Sequence, residues 1–184
     1  VPALAAGERY VFGAAGTDYV VLLKNTGEAV AFGRQHDGRC AVPALAAGER
    51  YVSCAAGVNH TVLLKNTGEA VAFGDREFDR CDVPALAAGE RYVSCAAGSF
   101  HTVLLKNTGE AVVFGAQREG QCAVPALAAG ERYVSCAAGD RHTVLLKSTG
   151  EAVAFGAQRP DVDSEEEDDD DDPNDGQCDV PALA

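Results

Sequence analysis

The chain has 184 residues, 47% of them hydrophobic, and a formal net charge of −13. That length and apolar content allow a sizeable core and speak against global disorder. The acidity is concentrated: eleven acids and no base lie within 161–175, and without them the −13 falls to −2, which argues against a basic nucleic-acid-binding surface.

No apolar run reaches the roughly 18 residues of a membrane helix, and the start lacks the basic and hydrophobic segments of a signal peptide. Val1 opens in the middle of a recurring phrase without Met, and Ala184 stops in the same phrase. The expectation is a piece of a longer protein, since repeat arrays carry atypical caps.

The phrase beginning Val-Pro-Ala-Leu-Ala-Ala-Gly-Glu starts at Val1, Val42, Val83, Val124 and Val180, at spacings of 41, 41, 41 and 56 residues. A fixed period in that range marks a solenoid, propeller or array. The predicted units are 1–41, 42–82, 83–123 and 124–179, with the start of a fifth at 180–184, all in one repeat domain.

Within a unit, Pro43 and Gly48 make the opening a connector. Tyr51 to Ala56 is β-rich and closed by Gly57. His60 to Lys65 is a second strand, Asn66-Thr67-Gly68 has hairpin chemistry, and Glu69 to Gly74 is a third strand. A fourth edge strand is left open.

Such a meander cannot bury both faces alone, so neighbours stack and supply the core. Small residues at Ala55, Ala56 and Gly57 let strands converge, while Val62, Leu64, Val71 and Phe73 supply bulk farther out. The expected class is all-β: a β-propeller-type array of four blades with three to four strands each. Either a closed four-blade ring or an open arc of a larger propeller satisfies the pattern, with a linear β-solenoid as the less favoured architecture.

The residues carry a family resemblance. Gly98, His101-Thr102, Leu104, Gly109, Phe114-Gly115, Gly120-Gln121 and Val124-Pro125 form a phrase that resembles the regulator-of-chromosome-condensation repeat. The 41-residue unit is most similar to the short-repeat branch with a β-lactamase-inhibiting propeller and ubiquitin-ligase-associated repeats. The first unit departs with Tyr19-Val20 for His-Thr. The Gly-Gln pair is lost at Gly38-Arg39 and Asp79-Arg80, and Phe replaces the family's Trp before Gly. The resemblance implies a propeller, usually of seven blades, and among its activities guanine-nucleotide exchange on a small GTPase.

The copies differ at Thr17-Asp18, Val58-Asn59, Ser99-Phe100 and Asp140-Arg141, and again over 34–39, 75–80, 116–121 and 157–177. In an antiparallel meander both variable points lie at one end and the invariant turn at the other. The candidate partner-binding residues on that rim are Asp18, Arg34, His36, Asn59, Arg76, Phe78, Phe100, Arg118 and Arg141, a set rich in hot-spot residue types. Drift at unconstrained loop positions is the alternative.

The fourth unit carries 15 extra residues, 160–174, expected to form a solvated loop on the rim. Asp168 and Asp170 stand for its capacity to attract a basic partner, and Ser164 before three glutamates resembles an acid-directed kinase site. The run lacks the spacing of a calcium loop.

His60, His101 and His142 open equivalent strands and are expected to make structural hydrogen bonds rather than a metal site. The seven cysteines contain no CxxC and are expected as reduced, buried thiols, favouring an intracellular setting. The acids of the Gly-Glu turns read as solvated, and Asn59-His60-Thr61 reads as a chance sequon. No phosphate loop, nucleophile elbow or zinc-protease motif occurs, so no enzyme activity, metal or cofactor is expected. The leading reading is a non-catalytic protein-interaction module. A structural subunit of a larger assembly and a nucleotide-exchange factor are the alternatives.

Overall fold

The computed structural model describes residues 1–156 and Cys178. The insertion 160–174, with Asp168 and Asp170, and the fifth repeat start at 180–184 lie outside the described residues. Four three-stranded antiparallel sheets follow one another. Blade 1 comprises β1 (Tyr10–Ala15), β2 (Tyr19–Lys24) and β3 (Ala29–Gly33), and blade 2 comprises β4 (Tyr51–Ala56), β5 (His60–Lys65) and β6 (Ala70–Gly74). Blade 3 holds β7 (Tyr92–Ala97), β8 (His101–Lys106) and β9 (Ala111–Gly115), and blade 4 holds β10 (Tyr133–Ala138), β11 (His142–Lys147) and β12 (Ala152–Gly156). The array is all-β and open rather than closed on itself, and the connectors add no fourth strand among the described residues. Nor is any described helix long and apolar enough to cross a membrane.

The hairpins between second and third strands turn on Asn-Thr-Gly in blades 1 to 3 and on Ser148-Thr149-Gly150 in blade 4. Gly68 sits at φ 91°, and its N–H donates to the Lys65 carbonyl at 2.9 Å, the three-residue loop that an αL glycine closes. The Gly68 carbonyl then accepts from Tyr92 N–H of the next blade at 2.8 Å. A Cβ at Gly68 would lie 2.5 Å from Arg91 Cβ, so the turn also serves as a contact between blades.

Every first strand contains a bulge the repeat phrase did not suggest. Between Tyr51 and Ser53 the register slips against β5, and Val52 becomes the extra residue, 55% exposed. Val11, Val93 and Val134 do the same.

Alternation along the strands sends side chains to two different neighbours. Val62, Leu64, Ala70 and Ala72 face blade 3, where Cys95, Leu104, Val112 and Phe114 meet them. Leu63, Cys54, Val71 and Phe73 face back to Val21, Leu23, Ala29 and Ala31 of blade 1. Leu63, absent from the sequence-based core, is thus as central as Val62 and Leu64, all three being essentially inaccessible. Burying each such side chain stabilises the stack by about 1.5–3 kcal/mol. The connector closes the joint, with Cys40, Val42 and Leu45 packed against the first interface.

Polar ties run along the inner part of each joint. His60 Nε2 lies 2.9 Å from Thr102 Oγ1, and His101 Nε2 lies 2.9 Å from Thr143 Oγ1. Thr102 donates its own proton to the Arg80 carbonyl at 2.7 Å, so it accepts from histidine, and the imidazole carries its proton on Nε2. In blade 1, the Tyr19 hydroxyl donates to the His60 carbonyl and sits 3.1 Å from Thr61 Oγ1, preserving the tie with a different side chain. Among the described residues, the Nδ1 atoms of His60, His101 and His142 have no hydrogen-bond partner. Beside them runs a backbone staircase: a Cβ on Gly57 would lie 2.3 Å from the Gly98 carbonyl oxygen, and one on Gly98 would lie 2.5 Å from that of Gly139.

At the opposite end, the Gly-Glu acids are paired rather than merely solvated. Lys65 Nζ lies 2.9 Å from Glu49 and 3.2 Å from Glu69, and Lys24, Lys106 and Lys147 repeat the clamp. Asn66 accepts from Arg50 N–H and donates to the Gly48 carbonyl. These ties explain why the phrase Gly-Glu-Arg and the Lys-Asn-Thr-Gly-Glu turn recur together.

The candidate interaction rim

The antiparallel ladder joins the two variable loops of a blade. Arg34 N–H donates to the Asp18 carbonyl at 2.8 Å, Asp75 N–H to Asn59 at 2.9 Å and Ala116 N–H to Phe100 at 2.9 Å. The loop after the third strand is therefore fastened to the loop before the second.

Two grooves of equivalent origin result, with different linings. Asp18, Arg34, His36 and Asn59 come together with Thr17, Asp37, Arg39 and Val58 around a polar hollow of about 340 Å³. Arg34 Nη1 pairs with Asp18 at 3.3 Å across it. Two blades farther on, Phe78, Phe100, Arg118 and Arg141 surround a groove of about 270 Å³ with Ala116, Glu119 and Gln121. Arg76 lies in neither and pairs with Asp82 at 3.0 Å.

The second groove has an aromatic floor. Phe78 and Phe100 meet edge to face with centroids 6.1 Å apart. Beneath them lies Arg80, wholly buried, its guanidinium 5.7 Å from the Phe78 centroid and 5.5 Å from that of Phe100. Arg80 donates to the Glu77 carbonyl at 2.8 Å and to the Ser99 carbonyl at 3.0 Å, and its charge is met by Asp75 at 3.2 Å. Arg118 stands over Phe78 at 5.9 Å and has no carboxylate partner among the described residues. Arg141 contacts Asp140 at 3.6 Å and Glu119 at 4.0 Å.

Arg80 and its counterpart Arg39 were not among the sequence-based candidates. Arg39 donates to Val58 O at 2.9 Å, the same tie one blade earlier, and Gln121 occupies the slot in blade 3, accepting from Glu119 N–H. A signal existed: within an otherwise variable segment, the residue before each Cys is always Arg or Gln.

Phe78 is held in an uncommon backbone conformation, φ 59°, and Asp79 follows at the same value. An aromatic residue there is strained. In blades 1 and 3, glycine stands where Asp79 does, at φ 76° (Gly38) and 74° (Gly120). The result is a ring left 40% exposed at the groove mouth.

Chemistry elsewhere is subdued. Burial pushes the Cys54 and Cys95 thiols up to about 12 and those of Cys81 and Cys122 up to about 11, so they are protonated at neutral pH. Burial lowers His60 to about 3, with the Arg80 charge adding to the effect, and lowers His101 to about 4.

No protein-family model matches the chain, and no curated protein matches it in sequence. Solved structures do. Yeast RCC1 (Prp20), in its complex with Kap60, superposes with a TM-score of 0.72 at 21% identity, over 85% of this chain and 45% of that one. The Saccharomyces cerevisiae Prp20p structure, whose description concerns binding to Gsp1p and histones, gives 0.70 at 20% identity over 84% and 46%. Human WBSCR16 gives 0.72 at 15% identity over 83% and 50%. The chain thus spans about half the length of these structures. The fold is a propeller-type arc of RCC1-like blades: the repeat phrase implied the propeller type and left ring and arc open, and the structure is the arc.

Proposed function

We propose that this chain is a non-catalytic protein-interaction module that docks a partner on the rim, centred on the groove of Phe78, Phe100, Arg118 and Arg141. The observation that carries the proposal is Phe78. Its strained backbone holds an aromatic ring half out of the protein, edge-on to Phe100 and above the buried Arg80. Preformed aromatic and arginine anchors are what protein hot spots favour, because little ordering entropy remains to be lost on binding. The partner best suited to it presents an apolar side chain beside a carboxylate, the latter facing Arg118. The polar hollow of Asp18, Arg34, His36 and Asn59, and Arg76 outside both grooves, are proposed to extend the contact.

The likeness to propellers that bind proteins supports this reading at the level of fold, since Prp20 structures are described with Kap60, Gsp1p and histones. The sequence adds a second element. Asp168 and Asp170, within the acidic insertion, are proposed to attract basic partners by long-range electrostatics, which salt weakens.

The test is affinity capture with the wild-type chain and with alanine together at Phe78, Phe100 and Arg141, using purified histones and a purified small GTPase alongside cell extract. Capture by the wild type that disappears in the triple variant, with cooperative melting retained, supports the rim. Equal capture by both assigns the variable positions to drift. Loss of nucleotide from the GTPase on adding the wild-type chain would move the reading to exchange.

A further inference from the structure

Each internal joint is built from the same two half-surfaces, and one half of each kind is left without its complement among the described residues. Leu64 and Leu105, on the forward faces of blades 2 and 3, are 1% exposed because Leu104 and Leu145 of the following blades cover them. Blade 4 repeats the blade 2 face residue for residue as Val144, Leu146, Ala152 and Ala154, yet Leu146 is 38% exposed. The polar tie is missing as well. His60 and His101 each reach a threonine of the next blade, whereas His142 has no hydroxyl partner among the described residues.

The opposite half-surface, on blade 1, is altered. Leu22, Val30 and Phe32 correspond to Leu63, Val71 and Phe73. However, Val20 stands where Thr61, Thr102 and Thr143 stand in the other blades, and Gly13 stands where Cys54 does. A second copy docking its first blade on blade 4 would therefore bring an isopropyl group against the His142 imidazole. A buried N–H without an acceptor is costly to leave unmade.

We propose that the forward face of blade 4 is a docking site for a further blade of this repeat type, one whose second strand offers threonine to His142. The first blade of another copy is not the partner it fits. Apolar complementarity makes the joint, and the threonine hydroxyl selects the occupant. This goes beyond the rim reading and uses none of its residues.

The test uses the whole chain with Gly13→Cys and Val20→Thr, which give blade 1 the residues the joint calls for. Both changes have room: Val20 is half-buried on an open face, and a Cβ on Gly13 meets only the movable Leu22 Cδ2 tip closely, at 2.9 Å. In sedimentation velocity, wild type is expected to remain monomeric. The double variant is expected to assemble head to tail at concentrations at least about tenfold lower, the factor of one buried hydrogen bond. Leu146→Asp on that background returns it to monomer, while alanine at Phe78, Phe100 and Arg141 leaves assembly unchanged. Val20→Thr alone provides a second variant if Gly13→Cys lowers the melting temperature.

The proposal is overturned if wild type assembles through Leu146 as tightly as the variants, because a second copy is then the fitting partner. Variants that stay monomeric, or whose assembly ignores Leu146→Asp, overturn it equally.

Discussion

His60 reaches across a blade joint with its Nε2–H to Thr102 Oγ1 at 2.9 Å, and Thr102 in turn gives its proton to the Arg80 carbonyl at 2.7 Å. One hydroxyl thus fastens the second strand of blade 2, the second strand of blade 3 and the connector between them. Thr102→Val keeps the shape but leaves the imidazole N–H and the carbonyl unmet. A loss of about 1–3 kcal/mol in urea unfolding is expected, against less than about 0.5 kcal/mol for Thr26→Val in an exposed turn. Equal effects would show that the tie contributes nothing.

Acid should loosen the stack before it titrates the carboxylates. His60 and His101 are held near 3 and 4, chiefly by burial, whereas the unfolded chain takes up their protons below about 6.5. Above that pH both states carry neutral rings, and the stabilisation is fully present. As pH falls from about 6.5 toward 4 the unfolded state binds protons the folded state refuses. Stability drops by up to about 1.4 kcal/mol per pH unit for each histidine. Glu49 and Glu90, lowered by the Ala46 and Ala87 amides and by their lysines, act only at lower pH. Urea midpoints measured from pH 7 to 5 should fall in the wild type, and His101→Gln should flatten the curve.

The strain at Phe78 and Asp79 makes opposite predictions for stability and for binding. Asp79→Gly puts into blade 2 the residue that blades 1 and 3 carry at that place and should stabilise the protein by about 1 kcal/mol. Phe78→Gly relieves the same kind of strain but removes the ring from the groove. Thermal melting should show no large loss, while partner capture disappears. Retained capture by Phe78→Gly would remove the aromatic anchor from the rim.

Arg80 supports the groove from below. Arg80→Ala leaves the Ser99 carbonyl and the Asp75 carboxylate without their guanidinium and should cost about 3–5 kcal/mol. Arg80→Gln, borrowing the blade 3 residue, should cost distinctly less. Chemical denaturation of the two variants in parallel checks the order.

Most of the architecture was legible because it repeats. The 41-residue period, the glycines and the apolar alternation marked three strands per unit and placed both variable loops at one end. The bulge at Val52 was not legible. Val occurs in strands whichever way it points, and only the pairing of Tyr51 with Lys65 and Ser53 with Leu64 shows the slip. Arg80 was hidden for another reason. In a segment that varies from copy to copy, a charged residue reads as solvated surface, and its burial depends on Ser99 of the next blade and on the two rings above it. The choice between ring and arc rested on geometry that no single unit encodes.

The interchangeability of the joints has a consequence for how the chain reaches its native state. Val62 can be covered by the Leu-Val-Phe face of blade 3 or of blade 4, and the two faces differ in almost nothing. Wrong neighbours are thus nearly as stable as right ones, and the choice is left to the 17-residue connectors, whose limited reach favours the adjacent unit. Refolding at high concentration, where another molecule's blade is as near as one's own, will be governed by exchange between chains rather than by weakness of any single blade.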